Sequence, residues 1–337
     1  MKGQRIKKLK NSSELYVLLI ILVLICFIQL RSGLFFASNN LVDLMRSMIV
    51  PSLYALCAFL AFISTGPDIS FPLIAAVSGY LATILTESLS LPLVASFAVA
   101  IAAGILMGAL NGFIIVRYHF PSLIVTVGTT SIFNGILLGV LNAKRVALPT
   151  PMLDFGRSIL FSVKDAKTGF GSNLPTAFLF VPIVFLIVYL VLNYTMIGRG
   201  VYAIGGDEVS AERAGFNVKA IRLGVFCAIG AIAAIAGVIY TCISQRFLPT
   251  EFAGSEMMAI AAVVLGGTRM KGGVGTLTGC VLGTLLITMV SNSLIMLGIS
   301  VYWQRVFVGI IIIAGTGVSV MRSNRVKKNG NNAEEEL

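Results

Sequence analysis

The chain has almost no histidine, almost no tryptophan and little charge. His119 is the one histidine in 337 residues, and only 12% of residues are Asp, Glu, Lys or Arg. A single imidazole excludes a histidine-built metal centre. A soluble domain carries about 25% charged residues, so the shortage of charge excludes that class. The five cysteines, Cys26, Cys57, Cys227, Cys242 and Cys280, form no CxxC pair and lie in or beside apolar runs. They read as small buried hydrophobes rather than disulfides or metal ligands. There is no GxxxxGK[ST] phosphate loop, so an ATPase driving this protein would be a separate polypeptide. No Ser/His/Asp or Cys/His arrangement is visible, and no carboxylate pair or His/Glu relay lies within an apolar run, which argues against a proton-driven carrier.

Long hydrophobic runs are what the chain has instead. Hydrophobic residues make up 57% of it and the mean hydropathy is +0.95. The runs are long and unbroken, unlike the short alternating segments of an outer-membrane barrel, so the expected fold is an all-α polytopic membrane protein. Ten spans are expected, at about 15–36, 47–64, 69–85, 91–116, 121–141, 175–194, 221–243, 257–265, 274–297 and 302–320. The eighth is too short to cross unless it begins near Glu251. The first lacks a small-residue cleavage site and reads as a retained span rather than a signal peptide. Five spans on each side of a long loop at 142–174 would allow two inverted halves.

The formal net charge is +11, concentrated at the ends in Lys2, Arg5, Lys7, Lys8 and Lys10 and in Arg322, Arg325, Lys327 and Lys328. Such juxtamembrane clusters meet anionic lipid and hold helix ends in the cytoplasm, so no nucleic-acid partner is expected. The expected layout is a cytoplasmic basic N-terminus at 1–14, a transmembrane domain at 15–321 and a cytoplasmic tail at 322–337. Both termini inside require an even span count. The loop at 142–174 then lies outside, although Lys144, Arg145, Arg157, Lys164 and Lys167 run against the charge rule. It reads equally as an external docking surface or as a solvated loop.

One polar island stands between long apolar runs, GRGVYAIGGDEVSAERAGFNV at 198–218, within a cytoplasmic segment at 197–220. Asp207 is an N-cap, Glu208 lies in the first turn and Gly215 suits the C′ position, which predicts a helix over 208–214. A helix of two turns needs something to pack on. Ser210, Ala211 and Ala214 give it a small-residue face fit for another protein's groove. It reads either as a coupling helix for a soluble subunit or as a capped loop helix.

Two breaks interrupt the hydrophobic pattern, Thr65-Gly66-Pro67-Asp68 and Gly266-Gly267-Thr268-Arg269-Met270-Lys271-Gly272-Gly273. Irregular backbone at membrane depth survives only inside protein or along a cavity, so each is either part of a pathway or a surface turn. Arg269 and Lys271 favour the surface for the second. The uncharged polar residues Asn111, Thr130, Asn134 and Asn292, together with Asp68, are candidates to line a path for a hydroxylated solute, with Phe133 available to stack on a sugar ring. Helix–helix packing is the competing role for the uncharged ones.

Three motifs carry a resemblance to a known family. AIAAVVLGGTRMKGGVGTLTGCVLGTLL (259–286) with YWQRVFVGIIIIA (302–314), the 198–218 island, and GALNGFIIVRYHFPSLIVTVGTTSIFNGI (108–136) resemble the permease subunits of bacterial simple-sugar ABC importers. These are of the ribose, xylose, arabinose and galactose type, with autoinducer-2 permeases as relatives. The chain departs from the family's usual Gly-Gly-Ile-Asp-Leu-Ser at Thr65–Ser70, and from its small or neutral residues at Arg269 and Lys271. The resemblance implies a non-catalytic subunit in the bacterial cytoplasmic membrane, importing a monosaccharide by alternating access. It implies a second permease subunit, an external solute-binding protein and a separate ABC-type ATPase that holds ATP and Mg. No cofactor is expected on this chain. Gly205, Gly206, Asp207, Glu208, Ser210, Ala211, Glu212, Arg213, Ala214 and Gly215 are implied to contact that ATPase.

Overall fold

The computed structural model describes residues 13–164 and 171–296 and, beyond those, only Trp303, Val306, Gly309 and Ile310. The fold is all-α. Its long helices are α1 (Ser13–Ser32), α2 (Ser38–Ser64), α3 (Phe71–Leu89), α4 (Leu93–Tyr118) and α5 (Ser122–Gly135), the last extended by a π-turn at Ile136–Val140. After a structured connection come α7 (Phe180–Tyr194), α8 (Met196–Gly206), α9 (Glu208–Arg213), α10 (Val218–Ser244), α11 (Ser255–Leu265) and α12 (Leu277–Met296). Among the described residues, eight helices are long and apolar enough to cross a membrane. The eighth expected span is α11, whose 11 residues cover about 16 Å, half of a bilayer core. A 3₁₀ turn at Pro249–Glu251 precedes it and does not lengthen it. The tenth expected span lies outside the described residues but for the four positions named.

The expected polar loop at 142–174 is more structured than its composition implied. It contains α6 (Thr150–Arg157) and strands β1 (Val146–Ala147), β2 (Ile159–Lys164) and β3 (Gly171–Pro175), with β2 and β3 pairing antiparallel. β1 pairs with β4 (Arg246–Phe247). Pro149 before α6 and a proline in its first turn are start signals that the mixed charge of the segment concealed.

α2 and α10 are the axis of the bundle. Ser52–Ser64 is buried on every face, as befits a central helix. α10 is clasped by glycine contacts on two sides. Gly230 meets Gly104 of α4, and Gly237 meets Ala75 of α3, each backbone to backbone. Such close approach is the usual basis of helix association in lipid, where apolar side chains gain little from leaving hydrocarbon. The cysteines behave as expected in part. Cys57, Cys242 and Cys280 are buried, Cys227 is half-buried and Cys26 is exposed.

The loops gather at two ends. At the first end, Thr276 and Thr278 donate hydroxyl hydrogen bonds to Glu14, Tyr202 Oη donates to the Gly275 carbonyl (3.2 Å), and Ser122 Oγ donates to the Pro67 carbonyl (3.0 Å). The loops 65–70 and 266–276, the α4–α5 turn and the α8–α9 segment therefore share that end. The β1–β4 pair, α6 and the 245–254 loop share the second.

Candidate functional site

A cavity of about 460 Å³ lies in the half of the bundle nearer the second end. Arg46, Ser47, Val50, Pro51 and Tyr54 of α2 form one wall. Tyr240, Ile243 and Ser244 of α10, with Glu251 and Phe252, form the next. The wall opposite combines Ser255, Met258, Ala259 and Ala262 of α11 with Thr284, Ile287, Thr288, Ser291 and Asn292 of α12. Hydroxyls, one amide and two charged groups, the exposed Arg46 and the Glu251 carboxylate, thus border a largely apolar space, the usual composition of a small-molecule site.

Glu251 does not enter the cavity as a free charge. Its carboxylate accepts from Tyr240 Oη (2.9 Å) and pairs with Arg246 Nη2 (3.0 Å). The Tyr240 ring packs edge-on against Phe252, which touches Phe247, and Phe247 in turn touches Tyr80. A chain of aromatic contacts therefore runs from the Tyr240 and Phe252 wall of the cavity back to Tyr80.

Of the sequence candidates for a solute path, Asn292 alone lines this cavity. Asp68, Asn111 and Thr130 are brought together elsewhere. Asp68 Oδ1 accepts from the Ser70 amide and hydroxyl (both 2.7 Å), and Asn111 Nδ2 donates to the same Ser70 Oγ (2.8 Å). Thr126 Oγ1 accepts from the Ile69 amide, and Thr130 Oγ1 donates to the Ile69 carbonyl. This network pins the 65–70 loop to α4 and α5. Asp68 is 1% exposed, and burial raises its carboxyl pKa above the usual value despite the bonds from Ser70. Phe133 is buried on α5, whereas Asn134 lies on its exposed face. Sequence reading missed Tyr54, Tyr240, Thr284 and Thr288. The signal was present in part: Thr284, Thr288 and Asn292 recur every four residues, which is one stripe of a helix.

The 208–214 helix expected from the caps is α9. Asp207 Oδ1 accepts from the Ser210 amide (2.6 Å), and Gly215 has φ +89°. Hydrogen bonds from Ser210 hold the Asp207 carboxyl below the usual carboxylate range. The small-residue face is not free as a whole. Ala211 is turned inward onto Ile204 and Val218, because so short a helix must first pack on its own chain. Val209, Ser210, Glu212, Arg213 and Ala214 are exposed. Glu208 is occupied by a bidentate pair with Arg222 (2.7 and 2.8 Å), at the foot of α10. Gly206 is open, while Gly205 is pressed against Ile63 and Gly273. Arg269 and Lys271 are exposed beside this segment, with no ion pair among the described residues.

Comparison with known proteins agrees with this architecture. Residues 40–315 match the family described as branched-chain amino acid transport system / permease component. The ribose import permease protein of Haemophilus influenzae is 30% identical over 304 residues, covering 90% of this chain and 91% of that protein. The ribose import permease protein of Escherichia coli K12 is 31% identical over 310 residues, covering 88% and 90%. The autoinducer 2 import system permease protein of Yersinia pseudotuberculosis (strain YPIII) is 28% identical over 313 residues, covering 91% and 85%. No solved structure matches. The family match and these near full-length relatives meet the resemblance read from the three motifs: the chain belongs to the branched-chain amino acid transport system / permease component family.

Proposed function

We propose that the protein is the membrane-spanning subunit of an ATP-driven importer in the bacterial cytoplasmic membrane. It passes a small hydroxylated solute, best fitted by a monosaccharide, through the cavity between α2, α10, α11 and α12. The observation that carries this reading is the cavity itself. It offers hydroxyls and an amide, its one carboxylate is paired with Arg246, and its other charged group, Arg46, is exposed. Hydroxyl-rich solutes need donors and acceptors that replace water, and an unpaired cavity carboxylate would instead select cations. The ribose and autoinducer 2 permeases among the relatives point the same way.

In this reading the first end of the bundle is cytoplasmic. α1 begins there, and Arg117, Arg199, Arg213, Lys219, Arg269 and Lys271 lie there. The exposed side of the 205–215 segment meets a separate ABC-type ATPase, which binds ATP and Mg. The second end, with α6 and the β2–β3 hairpin, receives solute from an external binding protein. A second permease subunit completes the pathway, and Asn134 and its exposed neighbours on α5 face that subunit or lipid. Asn292 lines the path. Asp68, Asn111 and Thr130 hold the 65–70 loop so that α2 and α3 keep their spacing, and Phe133 packs among the helices.

The test is reconstitution. The subunit, co-expressed with its ATPase and supplied with binding protein, is expected to load vesicles with labelled ribose only when ATP is present. Uptake of equal rate without the ATPase, driven by an ion gradient, would make the protein a secondary carrier instead.

A further inference from the structure

The cavity wall built by α11 and α12 is a rigid hairpin. Gly266 meets Gly279, and Gly283 meets Ala262, backbone to backbone. A Cβ on Gly283 would lie 2.8 Å from the Ala262 carbonyl carbon and 3.0 Å from the Gly266 nitrogen. The 266–276 loop joining them closes on itself through Arg269 N–H to the Val274 carbonyl (2.9 Å) and Gly272 N–H to the Arg269 carbonyl (3.1 Å). Gly272 and Gly273 have φ of +94° and +70°, a region that favours glycine.

The other side of this loop rests on α8 and the end of α2. Gly273 N–H donates to the Ile63 carbonyl (3.2 Å). A Cβ on Gly205 would lie 2.6 Å from the Gly273 nitrogen and closer still to the Ile63 carbonyl oxygen. A Cβ on Gly273 would lie 2.7 Å from the Gly206 nitrogen and Cα. Tyr202 Oη adds its bond to the Gly275 carbonyl, one residue before the N-cap of α12.

We propose that this junction, Gly205–Gly206 against Gly272–Gly273 with the Tyr202–Gly275 bond, is where a displacement of the α8–α9 segment is passed to the α11–α12 hairpin and so to the cavity. The inference rests on the reading of that segment as the ATPase contact. Backbone meets backbone at the junction, so no long side chain absorbs the movement, and closely packed elements shift as units rather than deform. Two other elements are tied to the segment: α2, whose Ile63 carbonyl lies against Gly205 but whose Ser52–Ser64 half is buried on every face, and α10, through Glu208–Arg222, which is clasped on both sides by α3 and α4. The hairpin has one face on the cavity and another, on α12, against α1. Tyr202, Gly272 and Gly273 are thus positioning residues. They act through α12, whose Thr284, Thr288 and Asn292 face the solute space.

The test uses the full complex with its ATPase. Asn292→Cys serves as reporter, in a chain whose Cys26 and Cys227 are replaced by alanine. A membrane-impermeant maleimide reads the reporter with and without a non-hydrolysable ATP analogue. The parent is expected to change its labelling rate when the analogue binds. Tyr202→Phe removes one hydrogen bond and is expected to shrink that change by a factor of about 2–10. Gly273→Ala forces the junction apart and is expected to abolish it. If Gly273→Ala fails to accumulate, Tyr202→Phe decides alone. A full nucleotide response in the variants overturns the junction and leaves the importer reading intact. A parent that neither holds the ATPase nor responds to nucleotide overturns both.

Discussion

Breaking the Glu208–Arg222 pair separates two roles for Glu208 on α9: a strut to α10 or a contact with the proposed partner. Glu208 holds Arg222 through two parallel bonds of 2.7 and 2.8 Å, and the two side chains are 46% and 19% exposed. An exposed ion pair contributes about 0.2–1 kcal/mol. Two-point geometry and a mostly covered guanidinium place this pair at the upper end, about 1 kcal/mol. That corresponds to a factor of about five in the population of α9 correctly seated on α10. Glu208→Gln is therefore expected to lower ATP-coupled uptake about two- to fivefold without abolishing it, since the cap at Asp207 and the packing of Ala211 remain. The loss should be smaller at high salt, where the parent pair is itself screened. Glu208→Arg alone should be worse, because it sets two cations side by side. The exchange Glu208→Arg with Arg222→Glu should recover most of the loss in reconstituted vesicles. If the exchanged protein inserts normally but transports no better than Glu208→Arg alone, Glu208 acts on the partner, and the pair is not the strut described here.

Gly104→Ala would place a Cβ 2.7 Å from that of Ala234, so overpacking should cost about 1–3 kcal/mol, whereas Gly224→Ala in α10 meets nothing within 4 Å and should gain about 0.5–1 kcal/mol. Thermal midpoints in detergent should move in opposite directions, and equal shifts would mean that the α4–α10 contact is not tight. Burial raises the pKa of Asp68, so the folded state binds this proton more tightly than the unfolded chain, and its contribution to stability falls as pH rises from the ordinary carboxylate range through the raised value. Asp68→Asn should flatten that slope in pH-dependent melts, gaining on the parent toward neutral pH; an unchanged slope would show that another group sets it. Met270→Cys, exposed between Arg269 and Lys271, should react with an impermeant thiol reagent only from the cytoplasmic side. Labelling from outside, or protection by an anionic solute, would place this loop in the pathway.

The parts of the fold that were legible in the sequence are those set by local chemistry. Long apolar runs located the full-length spans because a bilayer demands about 20 such residues. Asp207 and Gly215 located α9 because caps act within one turn. The half-length of α11 was visible as a shortage of apolar residues, and its place beside α12 was not, because Gly266–Gly279 and Ala262–Gly283 meet only in the folded chain. The cavity was the least legible feature. Its hydroxyls come from four separate elements, and Thr284 and Thr288 look alike whether they bond their own helix or face a solute. Asp68, Asn111 and Thr130 show the converse. Their polarity marked them as candidates for a path, and the structure joins them in a network that holds a loop.

The same residue type serves opposite mechanical ends in this bundle. Gly104, Gly230 and Gly237 lie within helices and lock α10 to two neighbours, so that part of the molecule resists relative movement. Gly205, Gly272 and Gly273 lie at a helix end and in a turn, where close backbone contact, beside the Tyr202–Gly275 bond, links two elements distant in sequence. Under the proposed reading a transport subunit needs both: a stationary frame, and a stiff connection from the end that carries α9 to the wall of the cavity. Sequence composition records only that glycine is abundant. Whether a given glycine belongs to the frame or to the connection is decided by what its missing Cβ would strike.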